Sequence, residues 1–107
     1  ERQVLVGTPP SDDGYDCLRA VFDQAVEQAA RGKGRERHAS GEPFDEQTIM
    51  QTTRAHGLGF ATGQAEKKLR ESHRLAEMEG GNARAVRELL GAINYTAAAI
   101  IRLQEVK

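Results

Sequence analysis

The chain has one cysteine, three prolines, no tryptophan, two tyrosines and three phenylalanines in 107 residues. A single Cys17 can close no internal disulfide, so the fold is not stapled as small secreted domains are. With so few aromatics, the core has to be assembled from Leu, Ile, Val and many alanines, each of which buries little area. No apolar run approaches the ~18 residues of a membrane-crossing helix, and no signal-peptide pattern is present. Charge of either sign is not in excess either: fifteen Lys and Arg stand against sixteen Asp and Glu, for a net charge of −1. That balance disfavours duplex nucleic acid as a partner, for which a basic domain is expected. The length fits one domain with a modest core, so association of copies is expected to add burial. The chain opens on Glu1 rather than Met, from which a trimmed or processed start is expected.

Helical periodicity is what the sequence does contain. Residues 1–12 read as an extended lead-in, in which Gly7-Thr8-Pro9-Pro10 stops any regular element. Residues 13–107 read as a single helical domain. Ser11 or Asp12 can cap a first helix over 13–31. Its apolar residues Tyr15, Leu18, Phe22, Val26 and Ala29 recur at three and four, with Asp16, Arg19, Asp23 and Glu27 on other faces. Cys17 within this helix is expected to be a small buried apolar residue. Gly32 is a helix stop, and Arg31 lies where the helix dipole favours a cation. Residues 32–44 have no periodicity and hold three glycines and Pro43, a long loop of the kind that often carries function.

Asp45 is the expected cap of a second helix over 46–56, with Ile49, Met50 and Thr53 inward and Gly57 at its end. A third helix is predicted over 60–79, with Ala61, Ala65, Leu69, Ser72 and Ala76 on one narrow face, flanked by Phe60, Leu75 and Met78. Gly80-Gly81 breaks it, and Asn82 can cap a fourth helix over 83–105. That last helix carries Val86, Leu89, Leu90, Ile93, Ala97, Ile100, Ile101 and Leu103, apolar over more than half its circumference. Such a helix is either central or an interface between copies. The predicted fold class is therefore all-α: a four-helix-bundle-like domain with a long cationic loop after the first helix, oligomeric through helix 83–105.

Chemistry concentrates in Arg31-Gly32-Lys33-Gly34-Arg35-Glu36-Arg37-His38. Arg31, Lys33, Arg35 and Arg37 are permanent cations set among glycines. Guanidinium groups bond phosphate or carboxylate oxygens in pairs, and glycine lets backbone N–H groups approach a ligand. His38 closes the segment and can hydrogen-bond a phosphate. A second candidate is the run from Gly57 to Gln64, in which Gly59 and Gln64 open the third helix and Lys67 and Lys68 follow within two turns; a helix start attracts anions. Gly59 and Gly63, with Ala61 and Ala65, equally fit close approach of another helix, and both readings can hold together. Glu66, Glu71 and Glu88 could hold Mg²⁺ between facing helices, or be surface neighbours of Arg70 and Arg74. His38, His56 and His73 lack metal-ligand spacing. Asn94 and Tyr95 interrupt the apolar face of the fourth helix, and a buried Asn there needs a partner, which suits a role in register. No catalytic residue, metal or cofactor is assigned.

Glu88-Leu89-Leu90-Gly91-Ala92-Ile93-Asn94-Tyr95 resembles the last helix of all-α nucleoside triphosphate pyrophosphatases of the MazG type. That family's metal site needs E-x-x-E and E-x-x-D pairs. Here Gly91 stands where the Asp belongs and no E-x-x-E surrounds Glu66. More broadly, RGKGRERHASGEPFDEQ, GLGFATGQAEKK and ELLGAINYTAAAI resemble small uncharacterised proteins of tailed bacteriophages and prophages, over about residues 25 to 105. The resemblance implies the cytoplasm of a bacterial host and a role in takeover, nucleotide metabolism or defence evasion. The function expected is non-enzymatic binding of a phosphate-bearing small molecule by Arg31, Lys33, Arg35, Arg37, His38, Gly59, Gln64, Lys67 and Lys68. The alternatives are inhibition of a host protein and a divergent Mg-dependent nucleotide hydrolase.

Overall fold

The structure, a computed structural model, describes residues 14–31 and 41–106 and places nearly all of them in four α-helices: α1 (Asp16–Arg31), α2 (Thr48–His56), α3 (Leu58–Ala76) and α4 (Asn82–Glu105). A 3-10 turn at Phe44–Glu46 leads into α2, and no strand occurs among the described residues. The fold is thus all-helical, as the periodicity predicts. The expected lead-in over 1–12 and the loop centre at 32–40 lie outside the described residues.

The helix ends differ in detail, and glycine decides them. A single residue, Gly57, joins α2 to α3 at φ 89° and ψ 179°, a backbone conformation open essentially to glycine alone. Its N–H donates to the Thr53 carbonyl at 2.8 Å, closing α2, while its own carbonyl accepts the Phe60 N–H at 3.2 Å and opens α3. The third helix therefore starts at 58 rather than 60. Asp45 does not cap α2: it lies in the 3-10 turn, and Gln47 occupies the cap position without a side-chain cap bond. The Gln47 side chain turns back instead, its Nε2 donating to the Glu42 carbonyl at 3.1 Å. Nor does Asn82 cap α4, since it is already helical. At the end of α3, bonds from Met78 N to Leu75 O and from Gly81 N to Met78 O, both 3.0 Å, tighten the chain into the turn.

Helix α4 is central, with α1, α2 and α3 each packed on it. The core cluster consists of Met50, Ala61, Ala98 and Ala99, surrounded by Phe44, Ile49, Leu58, Phe60 and Ile101. Ile49, Met50 and Thr53 point inward as expected. Phe60 meets Tyr95 edge-on, with ring centroids 5.8 Å apart. The buried face of α3 is Ala61, Ala65, Ser72 and Leu75. Leu69 and Ala76, expected on that face, are exposed. Leu75 is buried in place of Ala76, and Lys68 stands in place of Leu69, its stem lying so close to Gly91 that a Cβ there would sit 2.7 Å from Lys68 Cδ.

The largest departure is α1. Its only buried residue is Ala25, and every residue from 14 to 24 is exposed. Tyr15, Leu18, Phe22 and Val26, expected to face a core, remain 53, 51, 49 and 63 % exposed. Cys17 is exposed too, correcting the buried reading: no described residue covers this half of the helix. Two side chains tie the other half down. Asn94 Nδ2 donates to the Ala25 carbonyl at 3.0 Å, and Gln28 Nε2 donates to the Arg87 carbonyl at 3.2 Å. The polar interruption of α4 is therefore a docking point for α1.

Arg54 clasps α2 to the end of α4. Its Nε and Nη2 bond Glu105 at 3.1 and 2.6 Å, and its Nη1 donates to the Asp45 carbonyl at 2.7 Å. The hydrogen bond from Arg54 holds the Glu105 carboxyl below its ordinary value. A carboxylate whose folded pKa is depressed contributes stability above its unfolded value, and that contribution is lost as pH falls through the folded value. The urea midpoint is accordingly expected to hold between pH 7 and pH 5 and to fall below about pH 4, the unfolded carboxylate range. Glu105→Gln should flatten that acid limb. An identical acid limb in the variant would remove the clasp from the stability of the fold.

Candidate functional site

Of the residues expected to meet a phosphate, Lys33, Arg35, Arg37 and His38 lie outside the described residues. Arg31 is the last residue of α1, exposed, and paired with Glu27 one turn back at 2.7 Å. Its charge complements the helix C-terminus, so the segment 32–38 leaves α1 from a cationic end.

The structure separates the other candidates. Gly59 and Gly63 lie in the first turns of α3, and a Cβ at either would meet nothing within 4 Å. They do not serve close approach of any described helix, whereas Ala61 and Ala65 do face the core. Gln64 is half-buried beside them. Lys67 and Lys68 point to different faces of α3. Lys68 turns inward and pairs with Glu88 of α4 at 3.4 Å, which leaves it poorly placed for a ligand. Lys67 turns outward and lines an open depression on α3 together with Gly63, Glu66, Arg70, Glu71 and Arg74.

These residues share a face because they recur at helical spacing. Gly63, lacking a side chain, forms the floor. On one side Arg70 bonds Glu66 at 2.7 and 3.1 Å. On the other, Arg74 pairs with Glu71 through Nε and Nη2, and that hydrogen bond pulls the Glu71 carboxyl below its ordinary value. Lys67 forms no ion pair among the described residues. The face thus presents three cations to two carboxylates, with the arginines already oriented by their partners. Arg70 and Arg74 were legible in the sequence only as surface neighbours of Glu66 and Glu71, which they are; that Lys67 stands between the two pairs needed the rotation of α3 to be known.

The acids proposed for Mg²⁺ are not gathered. Glu66 and Glu71 serve arginines on the outer face of α3, and Glu88 serves Lys68 between α3 and α4. Among the described residues no group of three or more His, Cys, Asp or Glu side chains converges. His56 ends α2 and is exposed; His73 stands 3.9 Å from Glu77 on the outer face of α3. No described helix is long and apolar enough to cross a membrane. No protein-family model matches the chain, and no curated protein or solved structure matches it either.

Proposed function

We propose that this chain is a non-enzymatic binding protein, assembled from more than one copy through α4, that holds a phosphate-bearing small molecule such as a nucleotide or a nucleotide-derived signal. The observation that carries the ligand half of this reading is the cationic outer face of α3, where Lys67 lines the depression beside Gly63 and forms no ion pair among the described residues. Its chemistry matches the composition of 31–38: arginine and lysine around glycine, suited to phosphate oxygens. Apolar side chains left open on α1 and α4 support the assembly half. In the setting that the phage resemblance implies, the cytoplasm of an infected bacterium, capture of such a signal would serve defence evasion.

Thermal unfolding with and without nucleoside triphosphates tests the ligand. At a hundred times Kd a single site adds about 2.7 kcal/mol, which raises Tm by roughly 10 °C for a domain of this size. Lys67→Ala is expected to abolish that rise while leaving the unliganded Tm unchanged, because Lys67 is exposed and exposed charges add little to stability. An equal rise in the variant, or none in the parent with any phosphorylated ligand, would remove the assignment. A second reading, inhibition of a host protein, draws on the same cationic face meeting an acidic surface. A stoichiometric protein partner without a retained nucleotide would favour it.

A further inference from the structure

The N-terminal half of α1 is an arm. From residue 14 to residue 24 no side chain is buried, yet one stripe of this arm is Tyr15, Leu18, Val21 and Phe22, continued by Val26. An isolated helix of that length is marginal in water, so the arm needs a surface to lie on. The same chain carries one. Along α4, Val86, Leu89, Ile93, Thr96, Ile100 and Leu103 alternate at three and four, the heptad spacing of a helix-packing seam. Val86, Leu89, Ile100 and Leu103 in this seam are 46, 41, 50 and 57 % exposed. The helix α1 of the same copy does not fill it. Its contacts reach α4 at Arg87 and Asn94, each one residue on from a seam position and so about 100° round the helix.

We propose that the α1 arm of one copy lies in the α4 seam of a second copy, and reciprocally, so that a single two-fold axis closes both open stripes. The deduction rests on the self-association in the proposed function and adds which surfaces meet. Three observations select a second copy as the occupant. First, the open apolar side chains of arm and seam together expose on the order of 800 Å² per copy, what one partner of a standard-size stable interface buries. Second, the arm's stripe, about 17 Å long, fits within a seam of about 25 Å. Third, neither stripe carries a charged residue, so each is complementary to the other. A two-fold contact in which i meets j and j meets i covers both stripes at once. Pairing α4 with α4, or α1 with α1, leaves one stripe open on every copy.

The test uses purified, nucleotide-free protein, so its result is independent of whether a phosphate ligand is bound. Light scattering on a sizing column is expected to give twice the 11.7 kDa chain mass for the parent. Phe22→Glu in the arm and Ile100→Glu in the seam are each expected to give monomer. Both positions are about half exposed within one copy, so far-UV circular dichroism should retain the α2–α4 helices and show at most loss of the arm. A monomeric parent overturns the proposal. So does a variant that stays dimeric: Phe22→Glu remaining a dimer would point to α4 on α4, and Ile100→Glu remaining a dimer to α1 on α1. If the variants unfold, Leu18→Cys on one chain and Leu103→Cys on another, each in a Cys17→Ser background, decide. Disulfide formation between the two chains supports the exchange, and formation only between like chains refutes it.

Discussion

Replacing Gly81 with alanine is expected to cost the fold about 3 kcal/mol or more, at the upper end of what overpacking does. The torsions are not the reason, since Gly81 sits at φ −87° and ψ −3°, where alanine is comfortable. The reason is space. A Cβ at Gly81 would lie 1.9 Å from the Leu75 carbonyl oxygen and 3.1 Å from that of Met78. Both obstacles are backbone, so no side-chain rotation relieves them. Leu75 is 2 % exposed and sits at the end of α3 on its buried face, and moving its carbonyl would disturb the most extensive helix–helix contact among the described residues. Total stability for a chain of this length is on the order of 5–15 kcal/mol, so the variant should melt many degrees lower with an unchanged urea m-value. Gly80 is a useful contrast. It has open space but φ 73°, so Gly80→Ala should cost only the left-handed strain, about 1–2 kcal/mol. A Gly81→Ala variant as stable as its parent would mean that the α3–α4 turn does not close as described.

Met50→Ala is expected to lose about 3 kcal/mol, within the range for buried large-to-small changes. Met50 is 0 % exposed and, with Thr53, one of the largest fully buried side chains. The neighbours that would have to fill its space include Ala61, Ala98 and Ala99, which have no rotamers with which to reach inward. A core assembled around alanines relaxes poorly when its one long, flexible side chain is removed. Met50→Leu, close in volume, should cost under about 1.5 kcal/mol. Denaturant unfolding followed by circular dichroism separates the two; equal losses would indicate that Met50 does not fill the cluster.

The helices were legible because their signals are local. Tyr15 to Val26 recur at three and four, Gly57 and Gly80-Gly81 stop the chain, and the apolar breadth of 83–105 marks a helix that is either central or an interface between copies. What was not legible depends on neighbours. The amphipathic pattern of α1 shows that one face seeks apolar company, but not whether that company is in the same chain, and no described residue supplies it. Leu69 matched the expected buried face of α3 by spacing, yet Lys68 took the place because Gly91 leaves room for its stem. No pattern within α3 alone encodes a vacancy on α4. The cap residues Asp45 and Asn82 fit their statistical roles, but the 3-10 turn at Phe44–Glu46 moved the start of α2 from 46 to 48, and the corner at Gly81 moved that of α4 from 83 to 82. For the candidate site, the pairs Glu66–Arg70 and Glu71–Arg74 follow from spacing alone, while the separation of Lys67 from Lys68 requires the orientation of the helix.

Everything proposed for assembly depends on whether α1 is covered. Amide hydrogen exchange over residues 16–24, followed across a hundredfold range of protein concentration, measures that most directly. An uncovered arm opens with almost no free-energy cost and exchanges fast. Strong protection that grows with protein concentration is the expected result. Rapid exchange of these amides at every concentration, beside well-protected amides in α4, would contradict the account.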